Sequence, residues 1–113
     1  MGSYIYFKSG DTSLKVFLSD ILYAKAERKY IRVVTTGKTH FVRGAISWLQ
    51  ESSSGQTDFC RIHKSYMVSL QHITGFDSKS VFIGDKKLPI GRHYKVDLLG
   101  MILPVNTGSR KAK

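Results

Sequence analysis

Within the run Phe59 to Leu70, FCRIHKSYMVSL, four side chains able to donate to an anion, Arg61, His63, Lys64 and Ser65, stand close together among apolar neighbours. A guanidinium fork, an imidazole, an ammonium and a hydroxyl side by side suit a phosphate or the edge of a base, and charge strengthens such hydrogen bonds. The flanking Phe59, Cys60, Ile62, Tyr66, Met67, Val68 and Leu70 follow neither a period of two nor one of 3.6, which predicts a strand that breaks into a turn and resumes. Donors on such a break are held by a core yet face a partner. Two further basic points stand apart: the turn Glu27-Arg28-Lys29 leading into Tyr30, and Gly91-Arg92 at the start of the last periodic segment. Arginine can span guanine O6 and N7 with two bonds, and lysine can reach those atoms or a phosphate. At a helix start, Arg92 would share a phosphate with outward-pointing backbone N–H groups.

Catalytic machinery is missing from the pattern. There is no Gly-rich phosphate loop and no nucleophile elbow, and Asp11, Asp20, Glu27, Glu51, Asp58, Asp77, Asp85 and Asp97 are scattered singly. Ser65 near His63 lacks a third group to orient the base, so nucleophilic chemistry is not expected. His40, His63, His72 and His93 show no ligand spacing and no Cys/His cluster joins them, so neither zinc nor another cofactor is expected. The chain reads as a binding protein, not an enzyme.

Composition says what it binds. A chain of 113 residues is one domain with enough core to stand alone. Its 18 basic residues against 8 acids give a net charge of +10, the balance of a protein that meets polyanions. Only Arg110, Lys111 and Lys113 lie in the tail from Pro104, with no acid among them, so the remainder still carries +7. Cys60 is the only cysteine and sits in an apolar run, the place of a small buried core residue in a reducing, cytoplasmic compartment. Met1-Gly2-Ser3 reads as a cloning remnant ahead of a domain cut from a longer chain. The longest apolar run, Leu98 to Val105, is far short of the about 20 residues that cross a membrane.

Short strands must position these donors. Tyr4–Lys8 and Ser13–Leu18 flank Ser9-Gly10-Asp11 as a hairpin, with Tyr4, Tyr6 and Phe7 as strand packing. A meander follows in Ile21–Ala26, Tyr30–Thr35 and Thr39–Arg43. From Gly44 to Glu51 the period changes: Ala45, Trp48 and Leu49 place an apolar face on a short helix, with Gly44 as N-cap and Trp48 in the core. Polar Ser52–Thr57 divides the halves. Beyond the central run, Ile73–Asp77, Ser80–Ile83 and Lys86–Ile90 form a second meander, Lys86 and Lys87 guarding an edge. Tyr94, Leu98, Leu99 and Ile102 then share a helical face that Pro104 stops. The expected fold is mainly β, short antiparallel strands in meanders with two or three short helices, over residues 4–103. Residues 104–113 read as a disordered basic tail.

Together, FLSDILYAKAERKYIRVVTTGKTHFVRGAISWL, FCRIHKSYMVSLQHI and LPIGRHYKVDLL resemble the LytTR-type DNA-binding domain, the output module of many bacterial two-component response regulators. The likeness covers nearly all of Tyr4 to Ile102, and its most specific part is Phe-x-Arg-Ile-His-Lys-Ser-Tyr followed, after a short meander, by Leu-Pro-Ile-x-Arg-x-Tyr. It implies that loops, not a recognition helix, enter successive major grooves of double-stranded DNA. The corresponding positions are Arg28, Lys29 and Tyr30; His63, Lys64 and Ser65, with Arg61 beside them; and Arg92. It further implies paired direct repeats bearing two copies of a domain that is monomeric alone, and a receiver domain with its sensor kinase in the parent system. Gly91 stands where the family often has serine, and Lys64 where arginine or asparagine is common.

Two other classes remain open. A basic β-barrel binding RNA or single strands needs exposed aromatics alternating with cations. A nonspecific protein or lipid interaction module needs only the charge. Arg28 and Lys29 can also be read as a solvated hairpin tip, and Arg61 as the wet face of a strand.

Overall fold

The computed structural model describes residues 3–52 and 59–102. Met1 and Gly2, residues 53–57 of the polar loop and the tail from Pro104 lie outside the described residues. Strands β1 (Tyr4–Ser9) and β2 (Thr12–Phe17) form a separate two-stranded hairpin. The meander β3 (Ile21–Ala26), β4 (Tyr30–Thr35) and β5 (Thr39–Arg43) leads into helix α1 (Ile46–Ser52). The central run folds as β6 (Phe59–His63) and β7 (Tyr66–Ser69) around a turn at Lys64-Ser65. β8 (Gly75–Phe76), β9 (Ser80–Ile83) and β10 (Lys86–Pro89) make a second meander, and helix α2 (Lys95–Ile102) ends the described chain. All strand pairs are antiparallel.

The expected mainly β class is what forms, but the two halves of the sequence do not stay apart. β3 pairs with β7, which fuses the first meander and the central hairpin into one five-stranded sheet in the order β5-β4-β3-β7-β6. Period-two patterning explains why both faces of this sheet are covered. Ala24, Ile31, Val33, Val42 and Met67 face one core, shared with Phe7 and Val16 of the hairpin and with Ile46 and Leu49 of α1. Tyr23, Cys60, Ile62 and Val68 face a second core, closed by Val81, Ile83 and Leu88 of the three-stranded sheet and by Leu98 of α2. β10 is an outer strand of that smaller sheet, and its Lys86 and Lys87 are exposed. The turn before β9 is closed by Asp77, whose Oδ1 accepts the N–H groups of Lys79 and Ser80 at 2.8 and 2.7 Å. Those bonds, the one from Lys79 first, hold its carboxyl below the usual carboxylate range.

Two expectations fail, for local reasons. Trp48 is not in the core but 38% exposed, and Ala45 is exposed as well. Gly44 has φ of +139°, outside the helical region, so α1 starts at Ile46 and the Ala45 carbonyl, not a Gly44 cap, accepts the first helical bond. The buried pair becomes Ile46 and Leu49, while Trp48 leans on Phe7 at a ring separation of 6.1 Å. Likewise only Phe7 of the first strand's aromatics is packed. Tyr4 and Tyr6 are 47% and 55% exposed and form an outward cluster with Phe17, over which Lys15 lies 4.2 Å from the Tyr4 ring centre.

Replacing Gly44 by alanine forces an L side chain into a conformation it rarely adopts, and should cost about 1–3 kcal/mol in a urea denaturation series. An unchanged midpoint would contradict the need for glycine there. Cys60 is buried, and desolvation first and the Asp97 carboxylate second push its thiol up to about 11. Its native form should therefore resist thiol reagents near neutral pH and react once the chain is unfolded. Because the folded state holds this proton more tightly than the unfolded one, stability should decline as pH climbs from 9.0 towards 11.

Candidate nucleic-acid interface

The β6–β7 turn is built from inside by Arg61. Its Nε–H donates to the His63 carbonyl at 3.1 Å, its Nη2 to the Lys64 carbonyl at 2.6 Å, and its Nη1 to Oε1 of Gln50 on α1 at 3.4 Å. A planar guanidinium holds its donors in a fixed fork, which suits two successive turn carbonyls at once. Arg61 is thus directed at the turn itself, neither simply the wet face of a strand nor pointed wholly outward. Inside the same turn the Ser65 N–H donates to Nδ1 of His63 at 3.0 Å. That bond makes Nδ1 an acceptor, so the neutral ring carries its hydrogen on Nε2 and offers a donor there. Lys64, at the tip, is exposed.

Neighbouring segments are tied to this turn by main-chain bonds. The Ala26 N–H donates to the Ser65 carbonyl at 2.8 Å, which brings the end of β3, and with it Glu27 to Tyr30, alongside. The Gly91 N–H donates to the Ile62 carbonyl at 2.7 Å, which brings Arg92 alongside from the other direction. The ring of Tyr94 completes the link, 5.9 Å from the Arg61 guanidinium carbon. Three segments far apart in the chain therefore meet at one end of the five-stranded sheet. Arg28, Lys29, Lys64 and Arg92 are exposed there, Tyr30 is 38% exposed, and His63 and Ser65 are half-buried.

Arg92 is not on an α-helix N-terminus as the sequence suggests. It opens a 3-10 turn, Arg92–Tyr94, in which the Tyr94 N–H bonds back to the Gly91 carbonyl at 3.0 Å, and α2 begins only at Lys95. The departure at Gly91 has a steric reason. A Cβ there would lie 3.1 Å from the Tyr94 ring and 3.4 Å from the His63 Cα, so any side chain at this position asks its neighbours to give by a few tenths of an ångström.

Register reveals residues that motif reading passes over. Phe41, Arg32, Lys25 and Tyr66 are successive cross-strand partners, so they share one face of the sheet, and His63 pairs with Tyr66 beyond a bulge. Lys25 lies 5.9 Å over the Tyr66 ring, and Arg32 meets Glu27 at 3.6 Å. Arg43, opposite Tyr30, joins Arg28 and Lys29 around one hollow. Only strand pairing could have drawn attention to Lys25, Arg32 and Arg43. Among the described residues no three His, Cys, Asp or Glu side chains gather as a metal site would require, and no helix is long and apolar enough to cross a membrane.

A small β domain that brings arginine, lysine and histidine from separate turns to one end of its sheet, with few acids among them, is a polyanion-binding module. The chain belongs to the LytTr DNA-binding domain family, whose profile matches residues 11–102. Among solved structures it is similar to the LytTr DNA-binding domain of a Bacillus cereus protein described as a methyl-accepting/DNA response regulator. The likeness has 20% sequence identity and a TM-score of 0.73, covering 88% of this chain and 96% of that one, and it supports the fold. Comparison with curated proteins returns no match.

If Arg61 builds the turn, Arg61→Lys, which keeps the charge but not the fork, should cost about 1–2 kcal/mol in denaturant. It should also speed hydrogen exchange at the Ser65 amide. Unaltered exchange at Ser65 would show that the turn stands without the fork.

Proposed function

We propose that this domain binds double-stranded DNA sequence-specifically by inserting its turns into the major groove, as the output domain of a bacterial two-component transcriptional regulator. The observation that carries the reading is that main-chain bonds from Ala26 and Gly91 draw the three basic segments, 27–30, 63–65 and 91–94, to one end of the sheet. Base readout falls to the exposed Lys64 and Arg92 and to the Nε2 donor of His63, with Ser65 beside them. Arg61 contributes chiefly by fixing the turn that presents them. Family membership supports a regulatory role. By the same resemblance the DNA site is a paired direct repeat taken by two copies, each monomeric alone. Upstream, a receiver domain answers to a sensor kinase.

A single-strand reading draws on the aromatic and basic row across the sheet, yet most of that row is already engaged. Lys25 covers Tyr66, His63 stands edge-on to Tyr66 at 73°, and Arg32 pairs with Glu27. Stacking platforms need open ring faces, which favours the duplex.

Selection from a randomised duplex pool at physiological salt should yield a repeated motif. On the selected site Arg92→Ala and Lys64→Ala should each lose about 1–3 kcal/mol, and far less on random duplex. Equal losses on both would make these residues backbone contacts. Better retention of single strands or anionic vesicles than of duplex would favour a rival class.

A further inference from the structure

Arg43 carries no motif and closes β5, yet the fold delivers it to the β3–β4 turn. Register sets it opposite Tyr30, and the N–H of Gly44 behind it donates to the Lys29 carbonyl at 3.4 Å. Arg28, Lys29, Tyr30 and Arg43 line an open hollow of about 420 Å³. Among the described residues three cations share it and no carboxylate lines it. The acid nearest in sequence, Glu27, is turned to Arg32 at 3.6 Å. Like charges converging on one hollow repel until an anion sits between them. A base edge engages a single planar fork, whereas a phosphodiester spreads its one charge over two oxygens that several donors can share. Beside the hollow Phe41, 61% exposed, meets the Tyr30 ring edge-on at 5.5 Å and offers an apolar ledge of the size of a deoxyribose.

We propose that Arg43, with Arg28, Lys29 and the Tyr30 hydroxyl, grips one backbone phosphate of the duplex. The β3–β4 turn then sets the position of the domain on DNA, and base reading is left to the β6–β7 turn and Arg92. This division of labour rests on the duplex reading above. It assigns a contact to a residue that no motif marks, and it moves the first turn from reading bases to holding the backbone.

The test is the salt dependence of binding for the wild-type chain, Arg43→Ala, Arg43→Lys and the Arg28→Ala/Lys29→Ala/Arg43→Ala variant, each checked for folding by circular dichroism, on the selected duplex and on a random one. The Arg28→Ala/Lys29→Ala/Arg43→Ala variant should make the slope of log affinity against log salt shallower by about 0.9 on both duplexes, the loss of one neutralised phosphate, while Arg43→Ala, with Arg28 and Lys29 still on that phosphate, should weaken binding by a similar factor on both. The selected-to-random ratio of Arg43→Ala should stay as in wild type, and Arg43→Lys should keep the wild-type slope. An unchanged slope in the triple variant, or an Arg43→Ala loss confined to the selected duplex, would overturn the phosphate assignment while leaving duplex binding intact. Failure of the wild-type chain to bind either duplex would instead remove the duplex reading and this proposal with it.

Discussion

The proposed interface depends on the β6–β7 turn, whose carbonyls are hydrogen-bonded from several sides. A turn with an exposed lysine at its tip would ordinarily be among the softer parts of a domain, since few apolar contacts hold it. Here its carbonyls are taken in succession: Ile62 by Gly91, His63 and Lys64 by the Arg61 fork, and Ser65 by Ala26. The two main-chain bonds join the turn to different elements, and the Arg61 fork braces it from within the hairpin. The same main-chain bonds also fix where the two other basic segments lie. Positional precision thus comes from the main chain, and the exposed cations inherit it.

Charge and core are consequently separated in space. The five-stranded sheet carries an apolar core on each face, one under the N-terminal hairpin and α1, the other under the small sheet and α2. With both faces covered, what remains for a ligand is the end of the sheet where the turns gather. Concentrating cations there costs little as long as they stay solvated, and it raises the local attraction for a polyanion. Specific pairings temper the charge where it is partly buried: Arg32 with Glu27, and Arg61 with turn carbonyls.

Strand positions, the mainly β class and the exposed basic points Arg28, Lys29, Lys64 and Arg92 were legible from patterning, because alternation and turn chemistry are local. Pairing of β3 with β7 was not, since nothing local in either strand names its partner, and this pairing is what makes one interface out of separate segments. The burial of Trp48 was misjudged by a single residue of helix phase, which the positive φ of Gly44 decides. Arg61 reads in sequence as one more cation. Only the position of the His63 and Lys64 carbonyls reveals that its fork serves the fold. Arg43 was passed over because its neighbours at the hollow come from the preceding turn, which a register and not a motif brings near.

The most direct measurement is amide chemical-shift mapping of the chain titrated with a short selected duplex and, separately, with its single strand. The account predicts one contiguous footprint on the duplex, formed by residues 27–30, 43, 63–65 and 91–94, with the β1–β2 hairpin unperturbed. A footprint centred on the exposed Tyr4, Tyr6 and Phe17, or equal shifts spread over every lysine and arginine, would contradict it.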